Sequence, residues 1–252
     1  MYPPPSLIIL KLLLSTLLLV TPSQSLSQGN HEDDHESSSL FCESWRFSVE
    51  TNNAGNWSTI PSRCYEFVNH YMTGDRYVSD LGVTGRNALD YAKTVDIAGD
   101  GMDAWVFDID ETLLSMLAYY KLHKFRSTTL KVEVKWGLRH KLTVLPASLS
   151  LYNEIRQLGF TVFLLTGRPE WLRNQTVTNL LYAGYNDWER LILRQSYDER
   201  KKAIDYKSEN RKQLEDEGYR IHGSLGDQWS DLLGYATAQR SFKYPNLMYY
   251  AA

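Results

Sequence analysis

The chain is poor in cysteine: its 252 residues hold two, Cys42 and Cys64. Two thiols allow one bridge and no more. An excess of charge of one sign is also missing. Lys and Arg number 27 against 30 Asp and Glu, a net charge of −3, so nothing points to a nucleic-acid partner. Long apolar runs are scarce as well. One spans Leu7 to Val20, broken only by Lys11 and Ser15, and no second follows. Internal repeats are absent. What remains is ordinary for a globular chain, 43% hydrophobic and 23% charged. The length allows one α/β domain with insertions, or at most two small ones.

The apolar run is shorter than the roughly 20 residues that a membrane span needs. Small and polar residues follow it, and Ser23-Gln24-Ser25 fits a small-x-small cleavage site. Residues 1–25 therefore read as a signal peptide, with the mature chain starting near Leu26 and no membrane contact after cleavage. An uncleaved anchor is the alternative. In an oxidising compartment, Cys42 and Cys64 read as one disulfide closing a loop of about 20 residues, worth about 3 kcal/mol. Two sequons occur, Asn56-Trp57-Ser58 inside that loop and Asn174-Gln175-Thr176 early in a predicted helix.

Residues 26–39 are acidic and polar, without apolar periodicity, and read as a disordered segment. Its His31 and His35 read as part of a solvated tail rather than a metal tract. Residues 40–252 form the folded domain. It opens with a helical extension, one helix from Pro61 to Gly74 and a second over Thr84 to Lys93. Short apolar runs then predict strands at Ala104–Asp108, Thr161–Leu165, Arg190–Leu193 and, last, Arg220–Gly223. Helices are predicted over Ala147–Leu158, from Pro169 onward, and over Ser208–Glu217. This alternation predicts an α/β fold with a doubly wound, Rossmann-like parallel sheet. Residues 113–146 form an insertion placed to cap the site, and the basic residues from Lys121 to Lys141 read as a solvated face.

Three of four polar pieces sit at the carboxyl ends of predicted strands, where open α/β sheets bind ligands. The first is Asp108-Ile109-Asp110-Glu111-Thr112. Paired carboxylates suit a nucleophile beside a proton donor and acceptor. Two of them at about 4 Å repel by roughly 4 kcal/mol at an effective dielectric of 20, so a cation is expected. Oxygen-only ligands with an anionic substrate point to Mg²⁺. The second piece is Thr166-Gly167-Arg168, where the Thr166 hydroxyl and backbone N–H groups can hold phosphate oxygens. The third is Lys207, just before a predicted helix, a positive charge for an anionic nucleophile and substrate. Lys201, Lys202 and Lys212 compete with it. The fourth is Gly226-Asp227-Gln228-Trp229-Ser230-Asp231. Asp227 can complete a metal shell, and Asp231 can orient metal-bound waters or Lys207.

These motifs resemble the haloacid dehalogenase (HAD) superfamily, and more closely its plant class IIIB acid phosphatases and vegetative storage proteins. FCESWRFSVETNN, FDIDETLLS, FLLTGRPEWLRNQTVTNL and YKSENRKQLEDEGYRIHGSLGDQWSDLLG carry the resemblance, which covers Cys42 to the C-terminus except the insertion. It implies a HAD-like fold with a small cap. Asp108 would be the nucleophile and would form an aspartyl-phosphate. Asp110 would protonate the leaving group and then activate water. Thr166 and Lys207 would bind the phosphoryl group. Asp108, the backbone carbonyl of Asp110 and Asp227 would ligate Mg²⁺, with Asp231 in support. The implied substrate is a small phosphomonoester, the location the vacuole, cell wall or extracellular space, and the assembly a homodimer. The family's first motif often continues with asparagine and proline where Met116 and Ala118 stand here, and Lys121 to Leu145 diverges, which puts substrate recognition apart from the chemistry.

The alternative is a vegetative storage glycoprotein whose catalysis is incidental. Some storage relatives lack the nucleophilic aspartate, and Asp108 is present here. Other phosphatase chemistries find no support. There is no Arg-His-Gly triplet, and the six histidines are scattered. His70, His123, His140 and His222 read as packing or surface residues. No Ser-His-Asp arrangement stands out.

Overall fold

The computed structural model describes residues 31–125 and 141–251. The signal-peptide run, residues 26–30 and the middle of the 113–146 insertion lie outside them. Contacts divide the chain into two units, Met1–Ser37 and Ser38–Ala252. The described elements in order are α1 (His31–Glu50), a 3₁₀ turn (Ser62–Cys64), α2 (Tyr65–Thr73), α3 (Asp75–Ala92), β1 (Asp103–Phe107), β2 (Leu114–Ser115) and α4 (Leu117–Leu122). There follow β3 (Thr143–Val144), α5 (Pro146–Gln157), β4 (Thr161–Pro169), α6 (Arg173–Tyr182) and β5 (Arg190–Arg194). The last are α7 (Ala203–Asp216), β6 (Arg220–Gly226), α8 (Trp229–Leu232) and β7 (Arg240–Lys243).

Among the described residues, five strands form one sheet in the order β5-β4-β1-β6-β7, and every pairing is parallel. The chain steps outward from β1 to β4 and β5, then crosses back to β6 and β7. The switch point therefore lies at the carboxyl end of β1, between β4 and β6, where such sheets open a crevice. Side-chain alternation covers both faces. Trp105, Phe107, Val162 and Leu164 point into the larger core, with residues of α2, α3 and α5. Ala104, Val106, Phe163 and Leu165 point into the smaller one, against Tyr206 and Leu214 of α7. The described ends of the insertion pair as a two-stranded antiparallel ribbon, β2 with β3.

Several elements depart from the sequence expectation. Helix α1 starts at His31, inside the segment 26–39 that was expected to be disordered. Helix α3 starts nine residues early, at Asp75, because Gly82 and Gly85 look like breaks but Gly85 lies in the buried interface. Pro169 does not open a helix. It ends β4 in an extended conformation, φ −70° and ψ 150°, and a 3₁₀ turn precedes α6. Helix α7 begins at Ala203, so Lys207 lies inside it rather than before it. The sheet also continues past β6 to β7, whose sequence RSFK offers a single apolar residue.

Cys42 on α1 and Cys64 before α2 are joined in a disulfide with Cα atoms 5.5 Å apart. It closes a loop of 22 residues, and both cysteines are buried. Removing it with Cys42→Ser and Cys64→Ser is expected to lower unfolding stability by about 3 kcal/mol. Urea unfolding checks this: the midpoint falls in the double variant, and a reductant then shifts the wild type alone.

Candidate active site

The end of β1 is fixed by its neighbours before any chemistry is considered. Asp108 N–H donates to the Leu225 carbonyl of β6 at 2.9 Å, which carries the aspartate into the crevice. The chain then turns tightly. The Ile109 carbonyl accepts from the N–H groups of Thr112, Leu113 and Leu114 at 3.3, 2.9 and 2.9 Å. Glu111 takes φ +55°, a left-handed conformation that a residue with a Cβ adopts only when its surroundings enforce it. They do: its carboxyl accepts from the Ser115 hydroxyl at 2.8 Å and the Met116 N–H at 2.6 Å. Burial pushes the Glu111 carboxyl up to about 8. The turn brings Asp108 and Asp110 to one sheet edge.

Lys207 reaches this edge from the second turn of α7. Its ammonium donates to Asp108 Oδ1 at 2.5 Å and also to Asp231 Oδ1. All three groups are buried. Burial alone would strip the lysine of its proton, but the two carboxylates hold it charged and push its pKa up. Arg211, one turn further along α7, donates to the backbone carbonyls of Asp231, Leu233 and Ala236 and so fixes the loop that carries Asp231. Gly226 makes the approach of that loop possible. A Cβ there would lie 2.4 Å from Asp231 Cβ.

Asp227 follows β6 and is also buried. Asp108, Asp227 and Asp231 can each present a carboxylate oxygen within 4.8 Å of the others. Three carboxylates against one ammonium leave two negative charges. Burial, and then the Asp231 carboxylate, push Asp108 well up and Asp227 up to about 7. Two uncompensated charges on hard oxygen donors fit a divalent cation. The expected ligand set shares Asp108 and Asp227 with this group; its third member was the backbone carbonyl of Asp110, with Asp231 in support.

That carboxylate instead faces Arg168, at the end of β4. Arg168 Nε donates to both its oxygens, at 3.1 and 2.9 Å, and Nη2 donates to Oδ1 at 2.6 Å. Such a fork is the strong form of a charge-assisted hydrogen bond. Thr166 lies behind it, buried, with Oγ1 donating to Asp110 Oδ2 at 3.4 Å and accepting from the Arg168 N–H at 3.2 Å. Asp108, Asp110, Thr166, Lys207, Asp227 and Asp231 therefore converge on one crevice. Arg168 was missed as a site residue although it stood inside a quoted motif. Its extended backbone before Pro169, which disfavours helix at the preceding residue, was the available signal. Asn246, which donates to Asp227 Oδ2 at 2.6 Å, had no signal in the sequence. The competing lysines are elsewhere: Lys201 pairs with Asp198 and Glu209, Lys212 pairs with Asp216, and Lys202 flanks the start of α7. Both sequon asparagines are exposed. Thr176 of the second is buried, and its hydroxyl accepts from Arg168 at 3.2 Å.

With this geometry established, the chain can be set beside known proteins. Residues 28–252 match the family model described as HAD superfamily, subfamily IIIB (acid phosphatase). The chain is 51% identical over 213 residues to Acid phosphatase 1 of Solanum lycopersicum, covering 84% of each chain. It is 39% identical to Stem 28 kDa glycoprotein of Glycine max, covering 83% of each. It is 36% identical to Vegetative storage protein 2 of Arabidopsis thaliana, covering 83% of this chain and 80% of that one. Its fold is similar to the class C acid phosphatase of Bacillus anthracis, with TM-score 0.58 and 19% identity over 74% of this chain and 85% of that one.

The buried triad predicts the cost of removing its cation. In chelator, Lys207→Met should lose about 3–5 kcal/mol of stability, because Asp108 and Asp231 then face each other unpaired. Adding Asp231→Asn should return part of the loss. Lys212→Met, at an exposed pair, should change stability by less than about 0.5 kcal/mol. Urea midpoints of the three variants check the order.

Proposed function

The chain belongs to the acid phosphatases of HAD superfamily subfamily IIIB, and from this premise we propose that it hydrolyses small phosphomonoesters through a phosphoryl-Asp108 intermediate, with Mg²⁺ as its cation. The observation that carries the reading is the contact of Lys207 with Asp108 at the switch point of the sheet. A buried carboxylate with a fixed ammonium on one oxygen is a nucleophile held in one orientation.

In the first step an Asp108 carboxylate oxygen forms a bond to phosphorus, the bond from phosphorus to the leaving oxygen breaks, and Asp110 gives that oxygen its proton. In the second, Asp110 takes a proton from water, the water oxygen bonds to phosphorus, and the bond to Asp108 breaks. Lys207 and the Thr166 hydroxyl hold the phosphoryl oxygens, which spread negative charge as the bonds change. Mg²⁺ held by Asp108, Asp227 and the backbone carbonyl of Asp110, with Asp231 in support, would offset the charge that nucleophile and phosphoryl group bring together. Arg168, forked onto both Asp110 oxygens, fixes the orientation of that carboxyl.

A storage glycoprotein is the second reading, favoured by the likeness to the Glycine max stem glycoprotein and the Arabidopsis storage protein. The presence of Asp108, Asp110, Lys207 and Asp227 in one crevice favours turnover over storage alone. The disulfide and exposed Asn56 support passage through the secretory pathway, ending in the vacuole, cell wall or extracellular space. Among the described residues no helix is long and apolar enough to cross a membrane.

Assays with p-nitrophenyl phosphate test the proposal. The wild type is expected to turn over at acid pH with Mg²⁺ and to lose activity in chelator. Asp108→Asn should lose at least about a thousandfold in kcat, and Asp110→Asn about 10²- to 10⁴-fold. Activity surviving Asp108→Asn would sink the mechanism. A silent wild type, across a panel of natural phosphomonoesters as well, would favour storage.

A further inference from the structure

The Asp227 carboxylate is held from behind by two amides. Oδ2 accepts from Gln228 Nε2 at 2.8 Å and from Asn246 Nδ2 at 2.6 Å. Two donors fill the two lone pairs of that oxygen. Among the described residues Oδ1 takes only the Thr112 hydroxyl, at 3.3 Å, which leaves it the freer oxygen for a cation.

Neither amide is free to turn. Asn246 is 1% exposed. Its side-chain oxygen accepts from the Met248 N–H at 2.8 Å, and its own N–H donates to Glu50 Oε1 at 3.1 Å. Glu50 is the last residue of α1, and Lys243 Nζ donates to its other oxygen at 2.6 Å. Gln228 is held the same way, with Nε2 also donating to the Tyr249 carbonyl at 3.3 Å and Oε1 accepting from the Ala251 N–H at 3.0 Å. The backbone continues the pattern: Tyr244 N–H donates to the Gly226 carbonyl at 2.9 Å, and Trp229 Nε1 donates to the Val49 carbonyl at 3.3 Å. The chain from Tyr244 to Ala251 is thus a strap laid across the loop after β6. The end of α1, within the N-terminal extension, holds the loop through Val49 and the strap through Glu50.

We infer that Asn246, braced by Glu50, is a positioning residue that turns Asp227 Oδ1 toward a divalent cation, so the C-terminal strap and the N-terminal extension together set cation affinity. The inference rests on the reading of Asp108 and Asp227 as that cation's ligands. Asn246 touches neither cation nor substrate. It acts by removing a choice: with Oδ2 saturated, Asp227 offers one oxygen in one direction. A carboxylate that must first be oriented binds more weakly, and loss of such outer partners typically lowers metal affinity about 10- to 100-fold.

The test is a Mg²⁺ titration of thermal unfolding with the full folded chain. In Asn246→Ala, the Mg²⁺ concentration giving half of the melting-temperature shift should rise about 10- to 100-fold. At saturating Mg²⁺, kcat with p-nitrophenyl phosphate should return to within about threefold of wild type, since the reacting groups are intact. Asn246→Ser keeps a shorter donor and should give a smaller rise, and it serves should Asn246→Ala fail to fold. A lower melting temperature with an unchanged Mg²⁺ midpoint would mean that Asn246 only anchors the strap, and would overturn the inference. A wild type whose melting temperature ignores Mg²⁺ would instead overturn the cation reading itself.

Discussion

The structure depends on a single ammonium group. Lys207 lies buried between Asp108 and Asp231, and three further buried or half-buried carboxyls, Asp110, Glu111 and Asp227, crowd the same sheet edge. Such a concentration of acids would not stay folded without counter-charge. The chain supplies two cations from different elements, Lys207 from α7 and Arg168 from the end of β4. Each is matched to one aspartate of the first motif. Lys207 fixes Asp108, and Arg168 fixes Asp110. The two carboxylates are thereby given different environments on the same turn, as the proposed roles of nucleophile and proton carrier require.

The rest of the fold explains how these groups meet. The strand order places the carboxyl ends of β4, β1 and β6 side by side, so residues 58 positions apart in the chain, Asp110 and Arg168, become bonded neighbours. Glycine is needed where the loops press together, at Gly226 beneath Asp231. Glu111 accepts backbone strain and anchors the first residues of the insertion with its buried carboxyl. The N-terminal extension is not an ornament on this core. Its disulfide ties α1 to the turn that precedes α2, and the last residue of α1 reaches the strap that braces Asp227.

The strands, the parallel sheet, the disulfide and the order of the polar motifs were legible in the sequence because each leaves a local mark. Buried parallel strands read as short apolar runs, and AWVF and TVFLL did so. What escaped notice had polar residues turned inward. Helix α7 buries Lys207 and Arg211 beside Tyr206 and Leu214, so its inner face looked like a solvated one and its start was placed too late. Helix α1 and strand β7 were missed because their short apolar content is paired with partners far away in the chain. Arg168 stood in plain view, but its partner Asp110 could be found only by folding the sheet. Asn246 was beyond reach, since an asparagine near a chain end has no pattern until the strap is laid down.

The central claim is that phosphate passes through Asp108. Turnover of a ³²P-labelled phosphomonoester, quenched in acid and digested, tests it most directly. The account predicts hydroxylamine-labile phosphate on the peptide that carries Asp108, and none in Asp108→Asn. Label on another residue, or label that survives in Asp108→Asn, would contradict it.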